Sequence, residues 1–568
     1  MAYTVADYII QRLKEQGVDT LFGVPSVYCA RVYEAARSAA FKTIITSSDL
    51  EAGYAADGYA RVRGLSAVAV SYGPGTLSIV NAIAGAYVER SPIVVINGGP
   101  SQSNIDDQNK TGVVYSHSMG QPHTDQDVLA NVTAFHDRAG DVAQARAKVD
   151  TAIQTALARK LPVYIEIPQA ILGVTCAPPS ANLSVTVPPA NAAQVARMIL
   201  QEISGAKFPF LIVGVEVQRH GLATDVLAII DKLNISWATT LLERTTIDES
   251  HALFQGVFNG DKAPGDLRKK IWNADLIVSL GAVFGSGHAA IMVPKIKNKQ
   301  VIRVWDGNAY VKGAAATPTG FSSLISELKQ HAVAGAGQAR EERSDDPPSS
   351  NEMAWDGDRD DAYSASPERS TFSPTSVARL GISYDDLFDQ IEKYVTSDPN
   401  FMLVADTFLG IYPAARKRMA GQNVFMANAI WASIGHSVGA GTGVAAANRK
   451  RPFIVCGDGG FQMTAQSLST MARFHLSAIT LVVDNNLYGY EQYLLDPGYY
   501  KTPGASPLSY ATLNDWDYVG VAKALGIAQV AKATTVAELT AAIKGATAQM
   551  GPALIQVSVD PRSLPAGV

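Results

Sequence analysis

Two short polar clusters carry the residue types for chemistry. Gly457-Asp458-Gly459-Gly460 ends the apolar run PFIVC, and Asp484-Asn485-Asn486 ends the run AITLVV. Between them Phe461, Thr464, Leu468 and Met471 recur at helical spacing. A strand-helix-strand unit of this kind sets both clusters at the carboxyl ends of neighbouring parallel strands, where open α/β sheets bind ligands. Glycines there let the backbone approach phosphate, while Asp458 and Asn485 offer hard oxygen ligands for a Mg²⁺ that bridges it. Either cluster alone reads as an ordinary turn. Sharing one helix, the two read best as a diphosphate site.

The elements that must hold these clusters are α/β throughout. Short apolar runs bounded by Gly and Pro alternate with helical patterns three times, the signature of parallel sheets flanked by helices. Strands are expected at 65–71, 92–98 and 162–168, with a helix from Leu77 to Arg90; at 208–215, 274–281 and 300–306; and at 401–406, 452–459, 478–485 and 553–560. The Pro/Ser-rich stretch 175–191 separates the first two blocks. From Gly335 to about Ser376 charge, Ser and Pro replace apolar periodicity, so that stretch reads as a flexible linker or excursion, with a partner-binding segment as the alternative. The expected domains are 1–175, 192–334 and 377–568, joined by 335–376.

Composition sets outer limits. A chain of 568 residues exceeds a single core, and 47% hydrophobic against 17% charged residues excludes general disorder. A net charge of −5 gives no global attraction to nucleic acid or anionic membranes. No apolar run reaches the length of a membrane span, and the first residues carry Asp7 and a Lys/Glu face where a secretory signal needs an apolar stretch. Cys29, Cys176 and Cys456 have no metal-ligand spacing and suggest no disulfide framework, so a cytoplasmic protein is expected.

The GDG and NN clusters resemble the thiamine diphosphate fingerprint. Further residues extend the likeness: YAADGYARVRG (54–64) and the stretch 71–100 resemble the pyrimidine-binding domain of the pyruvate decarboxylase and acetolactate synthase superfamily, and the third block resembles its diphosphate-binding domain. The resemblance implies thiamine diphosphate and Mg²⁺ as cofactors, with Asp458, the Asn485 side chain and the Leu487 carbonyl around the metal and Gly457, Gly459 and Gly460 at the diphosphate. It makes Ile434, 24 residues before Asp458, the bulky support of the bent cofactor, and the Ala432 carbonyl the acceptor for its 4′-amino group.

Three positions depart from the family pattern. The catalytic Glu that should face the pyrimidine nitrogen falls on Asp49, one methylene shorter; Glu51 replaces it if the strand-to-helix turn is shifted, and a plain helix cap is the third reading of Asp49. The loop acid falls on Val27, and the His-His pair on Ser116-His117. Glu491, six residues after Asn485, is retained. Asp49, His117 and Glu491 are thus the expected catalytic groups, Val27, Ser116, Tyr488 and Tyr490 the expected pocket wall, and His123 and His436 lie nearby without a fixed role. The implied activity is non-oxidative decarboxylation of a 2-oxo acid. Carboligation to a second carbonyl compound is the alternative, and a cofactor-binding protein without catalysis a third. Family likeness also implies a homodimer or homotetramer with active sites between subunits, and leaves flavin open.

Overall fold

The computed structural model describes residues 2–121, 123–185, 191–340, 345–347, 381–566 and 568. Three sheets organise the chain. The first runs in the spatial order Lys42–Ile45, Thr20–Gly23, Ser66–Ser71, Ile93–Gly99, Val163–Pro168, His136–Arg138, with every pairing parallel. The third repeats that connectivity with Phe425–Ala427, Phe401–Ala405, Arg451–Gly457, Ile479–Asp484, Ala553–Ser558 and Gln529–Ala533, again all parallel. The middle sheet centres on Pro209–Val213 and Leu276–Leu280 and adds two antiparallel strands, Asn308–Val311 and Thr317–Pro318, at one edge. The α/β class holds, and the expected strands appear within one or two residues. Short strands such as Thr20–Gly23 and Phe425–Ala427 escape the sequence pattern because three or four residues carry no readable period.

The first and third domains share one continuous apolar core. Their contact is built on the helix Asp49–Arg63 crossing the helix His436–Ala446, and glycine makes it possible. A Cβ on Gly58 would collide with the Ala440 carbonyl, and one on Gly443 with that of Ala55. Backbone therefore meets backbone, as only glycine permits.

In the middle domain the switch point between Pro209–Val213 and Leu276–Leu280 is packed shut, because Gly214 lies directly on the backbone of Gly281 and Ala282. Arg90 of the first domain stacks 4.1 Å from the Trp305 ring centroid and pairs with Asp306 at 2.9 Å, docking the two domains at this crevice.

The stretch from Gly335 is not loose at its start. The N–H groups of Gly335, Gly337 and Arg340 donate to Lys232, Leu233 and Lys207 at 2.7 to 2.9 Å, contacts that small residues make without any apolar period. Most of the remaining expected linker, 341–344 and 348–376, lies outside the described residues. Among the described residues no helix is long and apolar enough to cross a membrane.

Candidate active site

Parallel register brings the two polar clusters together. Gly457 and Val483 are paired on adjacent strands, so the turns that follow them face each other. Two short helices, Asp458–Thr464 and Ser467–Arg473, replace the single helix expected, yet Phe461, Thr464, Leu468 and Met471 are all buried. Asp458 is 2% exposed. Its Oδ1 accepts the Gly459 N–H at 2.9 Å, and Oδ2 accepts those of Asn485 at 3.0 Å and Asn486 at 2.6 Å. Burial pushes its pKa up to about 7, the Asp484 charge adds to the rise, and the N–H donors oppose it. Among the described residues no cationic side chain pairs with it.

A buried carboxylate in this condition fits a cation. No cluster of three His, Cys, Asp or Glu among the described residues could hold a metal. A cation here would rest on one carboxylate with amide and carbonyl oxygens, a donor set suited to Mg²⁺ when phosphate completes it. The two asparagines differ. Asn485 is engaged at both ends, donating from Nδ2 to the Tyr384 hydroxyl at 3.0 Å and accepting the Leu487 N–H on Oδ1 at 3.1 Å. The Oδ1 of Asn486 is buried without a partner, on a residue with φ +56°. The Leu487 carbonyl accepts the Gly489 N–H at 2.7 Å. A side chain on Gly459 would strike the Tyr488 ring, so that glycine is required by packing as well as by any phosphate.

The turn that carries Ala432 and Ile434 is gripped from two sides. Ala432 has φ +57°, a position strained for a residue with a Cβ and in need of external support, while Gly435 at φ +83° is free of that cost. Asp406, at the end of Phe401–Ala405, is 1% exposed and accepts the N–H groups of Thr407, Gly435 and Ser437, the Ser437 hydroxyl and the Cys456 thiol. From the first domain, Glu89 Oε1 accepts the N–H groups of Ile430 at 2.8 Å and Trp431 at 3.2 Å. Arg61 bridges Glu89 at 2.6 Å and Asp57 at 2.8 Å and donates to the Ala427 carbonyl. His436 joins this network through Nε2, 2.7 Å from Asp57 Oδ2, rather than standing in a pocket. Ile434 is half-buried and Ala432 exposed.

Sequence reading missed Asp57, Glu89, Arg61 and Asp406. Asp57 and Arg61 do stand four apart on one helix, but they and Glu89 reach across to the third domain, while Asp406 reaches turns and a strand 29 to 50 residues further along its own domain.

Asp49 and Glu51 occupy different environments. Asp49 opens the helix after Ser48, whose hydroxyl caps it by accepting the Glu51 N–H at 3.1 Å; Ser48, rather than Asp49, is thus the cap. The Asp49 carboxylate is half-buried, has no side-chain partner, and faces Gly75, on which a Cβ would stand 3.5 Å from Oδ1. Burial raises its pKa to about 6. Glu51 is wholly buried at the contact with the third domain of the same chain. Its Oε2 accepts the Ser47 N–H at 2.7 Å, Oε1 has no partner, and burial raises its pKa to about 7 against the opposing effect of Thr470, Ser47 and Ser467.

The other expected groups lie around these. His117, at φ +68°, is exposed beside the Tyr28 and Tyr72 rings, and Tyr72 donates to the Ser116 carbonyl at 2.6 Å. Val27 is 66% exposed, and His123 is exposed. Glu491 is exposed in the first turn of Gly489–Leu495, while the Tyr490 hydroxyl accepts from Tyr412 at 3.0 Å. Among the described residues no hydrogen bond or ring contact within the chain joins Asp49 or His117 to Asp458, Asn485 or Glu491.

Paired domains of one topology, the third holding a Gly-Asp-Gly turn against an Asn-Asn turn, define the architecture of thiamine diphosphate enzymes. Three family models of thiamine pyrophosphate enzymes match: the N-terminal TPP binding domain at residues 3–128, the central domain at 196–310 and the C-terminal TPP binding domain at 410–557. The chain belongs to this family. A pyruvate decarboxylase of Aspergillus fumigatus is 26% identical, covering 92% of this chain and 87% of its own length. An alpha-keto-acid decarboxylase of Mycolicibacterium paratuberculosis is 27% identical over 93% and 88%. Among solved structures, a Rhodococcus jostii RHA1 thiamine diphosphate-dependent 4-hydroxybenzoylformate decarboxylase superposes with a TM-score of 0.73 over 98% of this chain and 99% of its own, at 20% identity, a likeness of fold.

Proposed function

We propose that the protein carries out thiamine diphosphate- and Mg²⁺-dependent, non-oxidative decarboxylation of a 2-oxo acid to an aldehyde. The observation that carries this reading is Asp458, a buried carboxylate that pairs with no cationic side chain among the described residues and is held by the backbone of the Asn485-Asn486 turn, on the strand ends of a thiamine pyrophosphate enzyme. Similarity to decarboxylases along most of the chain supports the reaction class. The bound cofactor would supply the carbon nucleophile and the electron sink that loss of CO₂ requires.

The chain's own residues divide the remaining work. Gly457, Gly459 and Gly460 admit the diphosphate. Asp458 and the Asn485 side chain would hold Mg²⁺, the Asn485 oxygen keeping a second lone pair beside the Leu487 N–H it accepts. The Leu487 carbonyl, which accepts only the Gly489 N–H, would serve as a further ligand through its other lone pair. Ala432, whose backbone is turned outward in the left-handed region, offers its carbonyl to the 4′-amino group, and Ile434 supports the ring beside it. Asp49 holds a proton against the pyrimidine nitrogen, and a pKa of about 6 keeps that proton exchangeable near neutral pH. His117 and Glu491 deliver protons to the product, while Val27, Ser116, Tyr488 and Tyr490 border the substrate.

Because Asp49 and His117 meet none of the third-domain groups within one chain, we assign each site to two copies, in a homodimer or homotetramer. A cytoplasmic location agrees with three free cysteines. A second reading, carboligation, is favoured by exposed aliphatic Val27 where the decarboxylase pattern expects an acid. Pyruvate, branched-chain and aryl 2-oxo acids incubated with and without added aldehyde test both. CO₂ with free aldehyde supports decarboxylation, coupled product supports carboligation, and no cofactor-dependent CO₂ refutes both.

A further inference from the structure

The first domain has lost one acid at Val27 and keeps another close to His117. Asp125 is 7% exposed at the start of the short helix Thr124–Leu129. Its Oδ2 accepts the Gly73 N–H at 2.7 Å and lies 3.5 Å from Asn97 Nδ2. Gly73 has φ +70°, and a Cβ on it would stand 2.6 Å from the His117 carbonyl oxygen and 2.9 Å from the His117 Cβ. The backbone of His117 therefore rests on the turn that Asp125 anchors. Asp125 and His117 also line one small cavity of about 20 Å³, together with Tyr72, Tyr115, His123 and Glu166.

The charges around His117 differ in how they are matched. Glu166 is neutralised by Arg138 at 2.7 Å and accepts the Tyr164 hydroxyl. Tyr28, Tyr72 and Tyr115 are phenols, and His123 is exposed. Asp49 lies against Gly75, on which a Cβ would stand 3.5 Å from its Oδ1. Asp125 makes no ion pair among the described residues. Burial pushes its pKa up, and the Thr76, Gly73 and Asn97 donors, with the nearby imidazole, oppose that rise.

We infer that Asp125 is a positioning residue for His117: it fixes the Gly73 turn beneath the histidine backbone and supplies the negative charge that faces the imidazole across the cavity. The inference rests on reading His117 as a proton donor, and its test separates the two. Asp125→Asn retains an oxygen for the Gly73 N–H but removes the charge, so an imidazolium at His117 loses its counter-charge. Two measurements follow on the cofactor-loaded protein. The limb of the kcat/KM profile governed by the proton donor moves to lower pH, and the His117 ring-carbon NMR titration moves with it. Asp125→Ala adds loss of the anchor, seen as faster exchange of the Gly73 amide. An unchanged His117 titration in Asp125→Asn overturns the inference. If that titration moves while His117→Ala leaves turnover intact, the inference stands and the catalytic reading of His117 fails.

Discussion

Glu51→Gln separates the two carboxylates that sequence alone leaves in competition. Burial raises the Glu51 pKa from 4.5 to about 7, so the folded protein holds this proton more tightly than the unfolded chain. Stability from that difference is complete below about pH 4.5 and is lost as pH rises through 7. At about 1.4 kcal/mol per pH unit, ionised Glu51 costs about 3 kcal/mol at pH 8, an upper value because neighbouring groups relax. Gln keeps an oxygen for the Ser47 N–H and turns its NH₂ toward Ser467, whose hydroxyl is itself unpartnered. The expected result is a variant more stable than the parent at pH 8, equal at pH 5, and active within a few-fold. Thermal unfolding across pH 5 to 8, with CO₂ release on the same samples, measures it. A folded Glu51→Gln protein that loses turnover as completely as Asp49→Ala would place the cofactor carboxylate at Glu51 and refute the argument.

Three further outcomes are expected. Asp49→Ala lowers turnover at least about 100-fold with cofactor still bound, whereas Asp49→Glu, which keeps the carboxylate, keeps activity; single-turnover CO₂ release reads both. Asp458→Asn abolishes Mg²⁺-dependent binding of thiamine diphosphate in calorimetry, while Asn485→Ala weakens it more than Asn486→Ala does. Gly58→Ala drives a methyl into the Ala440 carbonyl and should cost about 3 kcal/mol or prevent folding, while Gly205→Ala, with nothing within 4 Å, stays within about 0.5 kcal/mol by thermal unfolding.

Legibility followed the range of the interaction. The long buried strands, the glycine-rich turn at Gly457 and the asparagine pair announce themselves because period, turn chemistry and spacing are local. Glu89 sits in AYVERSP with no distinguishing neighbour, yet it caps the N–H groups of Ile430 and Trp431, some 340 residues away. Asp125 is similarly anonymous in HTDQD until the fold sets it under Gly73. Even the asparagine pair was legible only as a pair. Which amide oxygen is free depends on the Tyr384 hydroxyl and on the hydrogen bond that Leu487 makes back to Asn485.

The sequence by itself determined three α/β blocks and the diphosphate-type turn facing an Asn-Asn turn, carried by residues within about one strand-helix-strand unit of each other, and left Asp49 and Glu51 in competition. Tertiary structure alone decided that Glu51 is spent on the contact between the first and third domains, that Asp406 and Glu89 hold the strained turn at Ala432, and that Asp49 is left open. The physical reason is that burial and pairing of a charge are set by what packs against it: for Glu51 and Glu89 the packing partner comes from a different domain, and for Asp406 from segments 29 to 50 residues away in its own.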